Sequence, residues 1–92
     1  MKYTLLDIIE RVYAENETLD NKLDNNALSN AITNIFKANE EEVNDSIEYA
    51  ELFYLDYVNN YLSVDRMCED YYITIELTNQ LVRVGRMINN NK

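Results

Sequence analysis

Apolar residues recur along this chain with a period between three and four. Leu5, Ile8, Ile9 and Val12 stand at i, i+3, i+4 and i+7, which predicts a helix from Leu5 to Ala14 within a first segment spanning 1–14. Thr4 precedes it as a cap, and Asp7 follows three residues later, where a negative charge suits the exposed N–H groups of a first turn. Leu28, Ala31, Ile32, Ile35 and Phe36 repeat the spacing and predict a second helix over 26–38, capped by Asp24, Asn25 or Asn26. The intervening "ENETLDNKLDNN", residues 15–26, is acidic and Asn-rich and reads as the most mobile internal connection. Leu19 and Leu23 within it are spaced for one short helical turn.

Asn39 followed by three glutamates marks the start of a third helix, predicted over 40–62. Val43, Ile47, Ala50, Tyr54, Tyr57 and Tyr61 alternate by four and three along it, and Leu52, Phe53, Leu55, Val58 and Leu62 widen the apolar surface. Its second half is apolar nearly all round, as expected of the central helix of a small bundle. The other use for that surface is a homodimer seam through Tyr54, Tyr57 and Tyr61. Ser63 then caps a short helix, Val64 to Tyr71, and Thr74 caps a longer one to about Asn89, with Arg83 and Arg86 toward its negative end. "YYITIEL" also alternates like a strand, but no second strand is available to pair with it, so a helix is expected. The terminal Asn89, Asn90 and Asn91 are expected to fray. The fold class is therefore all-α: one domain over 1–92, a bundle of four to five helices whose last two form a helix-turn-helix-like pair over 64–89.

Composition agrees with a single helical core. The 92 residues are 47% hydrophobic, with eight Tyr and two Phe, while Pro is absent and Gly85 is the only glycine, so hairpin turns and phosphate-cradling loops lack their usual residues. Cys68 is the single cysteine and there is no His, which points to a reducing compartment. Charged residues interrupt the apolar run of Met1 to Val12, so neither a signal-peptide core nor a membrane span is expected, and the expected location is cytoplasmic, the host cytoplasm if the protein is viral.

Chemistry has little to work with. The usual acid-base group near neutral pH is missing, Cys68 reads as a buried small residue on the apolar side of its helix, and no catalytic, cofactor or metal residues are assigned. "DNKLDNN" has aspartates at Asp20 and Asp24, yet Lys22 takes a ligand position of a calcium loop and Asn25 stands where glycine is needed. A non-enzymatic protein is expected.

Charge carries more information. The net charge is −9, with thirteen acids and four bases before Val64 and four of each after Ser63. No base lies between Lys37 and Arg66, where Glu40, Glu41, Glu42, Asp45, Glu48, Glu51 and Asp56 all fall. Glu41, Asp45 and Glu48 share one helix face, with Glu51 a turn further, so carboxylates recur about every 5 Å. A field of that sign repels nucleic acid and attracts basic partners.

The stretch from Asp65 to Gly85 resembles the helix-turn-helix pattern at four positions: Cys68 where the helices cross, Ile73 after the turn, and Thr78 and Leu81 facing back. Tyr72 stands where that pattern places glycine, which counts against the tight turn. If such a pair read DNA, Thr74, Glu76, Asn79, Gln80 and Arg83 would carry the contacts. Few cations stand near them for phosphates, so direct DNA binding is the alternative reading. "YLSVDRMCEDYYI" followed by a helix ending in "VGRMIN" is also similar, over about a third of this chain, to the C-terminal end of many small bacteriophage proteins, which implies viral origin. With that resemblance, the expected function is counter-defence. An inhibitor similar to the anti-CRISPR proteins would place Glu40, Glu41, Glu42, Asp45, Glu48 and Glu51 in a basic nucleic-acid-binding surface of a host protein such as a CRISPR effector. A dimerising structural protein is the third reading.

Overall fold

The computed structural model describes residues 4–92, so residues 1–3 of the expected first segment lie outside it. Among the described residues there are five helices and no strand: α1 (Leu5–Glu17), α2 (Asn25–Phe36), α3 (Glu40–Asn60), α4 (Val64–Tyr71) and α5 (Ile75–Asn90). Every helix carries an expected cap, with Asp24 taking that place for α2 and Asn25 and Asn26 lying inside the helix. The Thr4 hydroxyl accepts from the Asp7 N–H at 3.1 Å, and Asp7 Oδ2 accepts from the Thr4 N–H at 3.0 Å, a reciprocal capping box. Asp24, Asn39, Ser63 and Thr74 cap the others through the backbone N–H groups of Ala27, Glu42, Arg66 and Leu77. α1 runs three residues past its predicted end, while α2 stops two residues early because Lys37 turns left-handed at φ 59°. α3 likewise ends two residues early, where Tyr61 becomes extended.

All five helices send side chains into one core. Ile9 and Tyr13 come from α1, Leu28 and Ile32 from α2, Val43, Ala50 and Phe53 from α3, Met67 from α4, and Leu81, Val84, Met87 and Ile88 from α5. The radius of gyration, 13.3 Å, is near the roughly 12 Å of a compact chain this long. The centre is the pair α3 and α5, not α3 alone. They approach so closely at Gly85 that a Cβ there would lie 2.1 Å from the Ala50 carbonyl oxygen and 2.5 Å from Tyr54 Cβ. Only a residue without a side chain fits, which accounts for a glycine inside a helix where it otherwise costs about 1 kcal/mol. The second half of α3 is not covered all round as expected: Leu52 and Val58 face solvent, and Leu62, just past the end of the helix, does so completely.

The α4–α5 connection is a tight turn after all. Tyr72 adopts φ 56°, ψ 42°, the left-handed conformation the glycine would have taken, and its N–H donates to the Glu69 carbonyl at 3.3 Å. Its side chain is 94% exposed, so no packing offsets the roughly 1–2 kcal/mol that the conformation costs a non-glycine residue. Thr78, fully buried, returns its hydroxyl to the Thr74 carbonyl at 2.9 Å. Cys68 is half-buried rather than buried, and its neighbour Met67 fills the core position. Two tyrosine–aspartate bonds and an edge-on ring pair fasten α4 to the end of α3. Tyr61 donates to Asp70 at 2.9 Å, Tyr71 donates to Asp56 at 2.5 Å, and the Phe53 and Tyr71 rings lie 4.8 Å apart.

Two stretches expected to be loose carry hydrogen bonds to the rest of the bundle. The 15–26 segment is pinned by Asn16, buried on an extra turn of α1, whose amide donates to the Leu23 carbonyl at 3.2 Å and accepts from the Leu23 N–H at 2.9 Å. Leu19 and Leu23 do not form a helical turn. Asn91 does not fray: its amide donates to the Leu23 carbonyl at 3.1 Å and to Asn25 Oδ1 at 2.8 Å, and it accepts from Asn16 at 3.1 Å. A polar clasp of three asparagines thus closes the bundle where α1, α2 and α5 meet, with the Tyr13 hydroxyl donating to Asn25 Oδ1 at 3.0 Å.

Candidate functional site

The first half of α3 turns Val43, Ile47 and Ala50 inward, so the helical period puts Glu40, Glu41, Glu42, Asp45 and Glu48 outside. All five are exposed. None of their carboxylates takes part in the ion pairs formed among the described residues, which join Arg66 to Asp70, Arg83 to Glu10 and Lys92 to Glu51. Three glutamates in the first turn also meet the positive end of the helix dipole, which stabilises them without removing their charge.

Beside this ridge lies an open groove of about 590 Å³. Glu41, Glu42 and Asp45 stand along one side, with Asn39 and Ser46. Leu6 of α1, Tyr49 of α3, Ile73 of the turn, and Leu77 and Leu81 of α5 supply an apolar surface, and among the described residues no Lys or Arg lines it. The two stretches that stood apart in the sequence, the acidic helix and the helix-turn-helix-like segment, are thus brought together at one place. Sequence periodicity located the carboxylates but not Leu6, Ser46, Tyr49, Ile73 and Leu77. The signal that bears on them is that Tyr49 and Leu77 are large apolar residues off the inward faces of their helices.

Glu51 does not belong to this ridge. Its side chain is only 12% exposed and bonds Lys92 Nζ at 2.9 Å, while its other oxygen, Oε2, is buried without a hydrogen-bond partner. The expected contact set therefore loses one member, because one further turn carries position 51 round toward α5's end. The charge of Glu51 adds to burial in pushing the Tyr13 phenol up to about 12.

The helix-turn-helix set is divided in the same way. Thr74, Glu76 and Asn79 are exposed, although the Thr74 hydroxyl is occupied as the α5 cap. Gln80 and Arg83 are both bonded to α1, although Arg83 keeps 48% of its side chain exposed. Gln80 Nε2 donates to Asp7 at 2.7 Å and to Glu10 at 3.2 Å, and Arg83 Nε donates to Glu10 at 2.6 Å. The Gln80 bond, with those from Thr4, holds the Asp7 carboxyl below its usual range, and the Glu10 bond raises Arg83 further. The tyrosines offered as a dimer seam are engaged within the chain. Tyr54 flanks the Gly85 crossing, Tyr57 packs on the core, and Tyr61 is bonded to Asp70, which raises its phenol.

Among the described residues, no group of three or more Cys, Asp or Glu side chains is placed to hold a metal ion, and no helix is long and apolar enough to cross a membrane. No family model matches the chain, and no curated protein or solved structure matches it significantly.

Proposed function

We propose that this chain is a non-enzymatic binding protein whose working surface is the first half of α3. It acts by occupying a basic, nucleic-acid-binding surface of another protein, and the phage resemblance makes counter-defence inhibition of a host effector the specific form. One observation carries this reading: Glu40, Glu41, Glu42, Asp45 and Glu48 lie exposed on successive turns, and none is paired with a cation among the described residues. Such a ridge presents spaced negative charge to any partner built to bind phosphates.

The DNA-reading alternative loses ground on a specific point. Two of its five contact residues, Gln80 and Arg83, bond to α1, and Arg83 would have to leave Glu10 to reach a phosphate. The test is displacement of a labelled DNA duplex from basic nucleic-acid-binding proteins. Wild-type chain is expected to release the duplex, and Glu41→Lys/Asp45→Lys/Glu48→Lys to leave it bound. Direct binding of the chain to the duplex, weakening steeply with salt, would favour the regulator and refute the proposal.

A further inference from the structure

Exposed carboxylates suffice to imitate phosphates, so the apolar surface beside them calls for a different ligand chemistry. Tyr49 is 52% exposed and Leu77 37% exposed, and both line the same groove as Glu41, Glu42 and Asp45. Apolar contact area next to unpaired negative charge selects an occupant carrying both complements. A second copy of this chain does not qualify: with net charge −9 it would bring a like-charged ridge against this one. A bare basic surface or a nucleic acid would leave Tyr49 and Leu77 unmatched.

We propose that the groove docks an amphipathic basic helix of a partner protein, whose apolar side chains one turn apart seat on Tyr49 and Leu77 and whose flanking Lys or Arg side chains meet Glu41, Glu42 and Asp45. The volume is that of a site taking several side chains rather than a whole helix, so the helix rides on the rim and inserts its apolar stripe. This rests on α3 being the binding surface, and it narrows the partner from any basic surface to a helical segment with Leu-like anchors.

The test uses a labelled Leu/Lys peptide of about sixteen residues, long enough for four turns, with leucines on one helical face. Its control has the same composition scrambled so that no face gathers them. Anisotropy titrations at about 0.15 M salt compare wild type, Leu77→Ser, Ser46→Lys and Glu41→Lys/Asp45→Lys. The amphipathic peptide is expected to bind about tenfold tighter than its scramble, and Leu77→Ser or Ser46→Lys to remove that preference while circular dichroism shows the fold intact. Charge reversal is expected to weaken both peptides. Equal affinity for the two peptides, or an undiminished preference in Leu77→Ser and Ser46→Lys, overturns the groove. The α3 reading then survives if charge reversal still weakens both. Absence of binding by either peptide overturns both proposals. Concentration-dependent self-association abolished by Leu77→Ser would assign the groove to a second copy and overturn the stated occupant.

Discussion

Replacing Gly85 by alanine tests the α3–α5 crossing on which the groove and the core both depend. At an open helical position this change stabilises by about 1 kcal/mol, because alanine loses less backbone entropy. Here the new Cβ would stand 2.1 Å from the Ala50 carbonyl oxygen, 2.5 Å from Tyr54 Cβ and 2.9 Å from the Ala50 carbonyl carbon. Ordinary contact needs about 3.5 Å, so the helices must part by about 1 Å, since two of the three obstructing atoms are backbone and cannot swing aside. A gap of that size forfeits a quarter to a half of the dispersion energy of the contacts it opens. Core overpacking costs about 1–3 kcal/mol, and an obstruction by backbone belongs at the upper end. Against a total stability of roughly 5–14 kcal/mol for a domain of this length, a loss near 3 kcal/mol lowers Tm by about 12–24 °C. Thermal and urea denaturation followed by far-UV circular dichroism measures it, with Asn79→Ala, exposed on the same helix, as the control that stays near wild type. Adding Ala50→Gly does not rescue Gly85→Ala, because the carbonyl oxygen remains. A Gly85→Ala protein that melts at or above wild type would refute the close crossing.

Tyr72→Gly is expected to raise stability by about 1 kcal/mol, since it relieves a left-handed tyrosine that is almost fully exposed; a lower Tm would show that the ring has a partner. Asn91→Ala removes three hydrogen bonds that close the asparagine clasp and is expected to cost about 1–3 kcal/mol in urea denaturation, an unchanged midpoint counting against the clasp. In an ultraviolet titration, Tyr13 and Tyr71 are expected to ionise late, near 12, Tyr13 because it is buried beside Glu51 and Tyr71 because it donates to Asp56. Both are raised above the ordinary value of about 10, so the stability they contribute is complete below pH 10 and is lost as the pH rises toward 12. Glu51→Gln should bring the Tyr13 step down, whereas an unshifted Tyr13 step would leave burial as its only cause.

Helix identity was legible because each helix announces itself twice, by a 3.6-residue apolar period and by a capping side chain, and both signals are local. Thr4, Asn39, Ser63 and Thr74 each cap the helix they precede, and of the three candidates before α2 it is Asp24 that caps. What failed depended on partners far along the chain. Asn16 and Asn91 read as loop and fraying end because nothing local shows that they bond one another across the bundle. Tyr72 counted against a turn that nonetheless forms, since burial of Met67, Thr78 and Leu81 on either side outweighs the strain of one residue. Gly85 was noted as a solitary glycine, but its role needs the path of α3. The acidic ridge was legible for the same reason as the helices, through spacing on a single element. Glu51 was misplaced because a straight reading along one face ignored the turn of the helix toward Lys92. The groove could not be read at all, because Leu6, Tyr49 and Leu77 come from three helices.

The central claim is that the exposed carboxylates of α3 make the binding surface. The most direct measurement is the affinity for the amphipathic Leu/Lys peptide of two charge-matched triple variants. One is Glu41→Lys/Asp45→Lys/Glu48→Lys on the ridge, and the other is Glu15→Lys/Glu17→Lys/Asp20→Lys at the exposed far end of α1 and its loop. Both change the net charge equally. The ridge variant should lose binding by a hundredfold or about 3 kcal/mol, and the α1 variant should lose far less. Equal losses in the two variants would mean that only total charge matters, and would contradict the assignment of the site to α3.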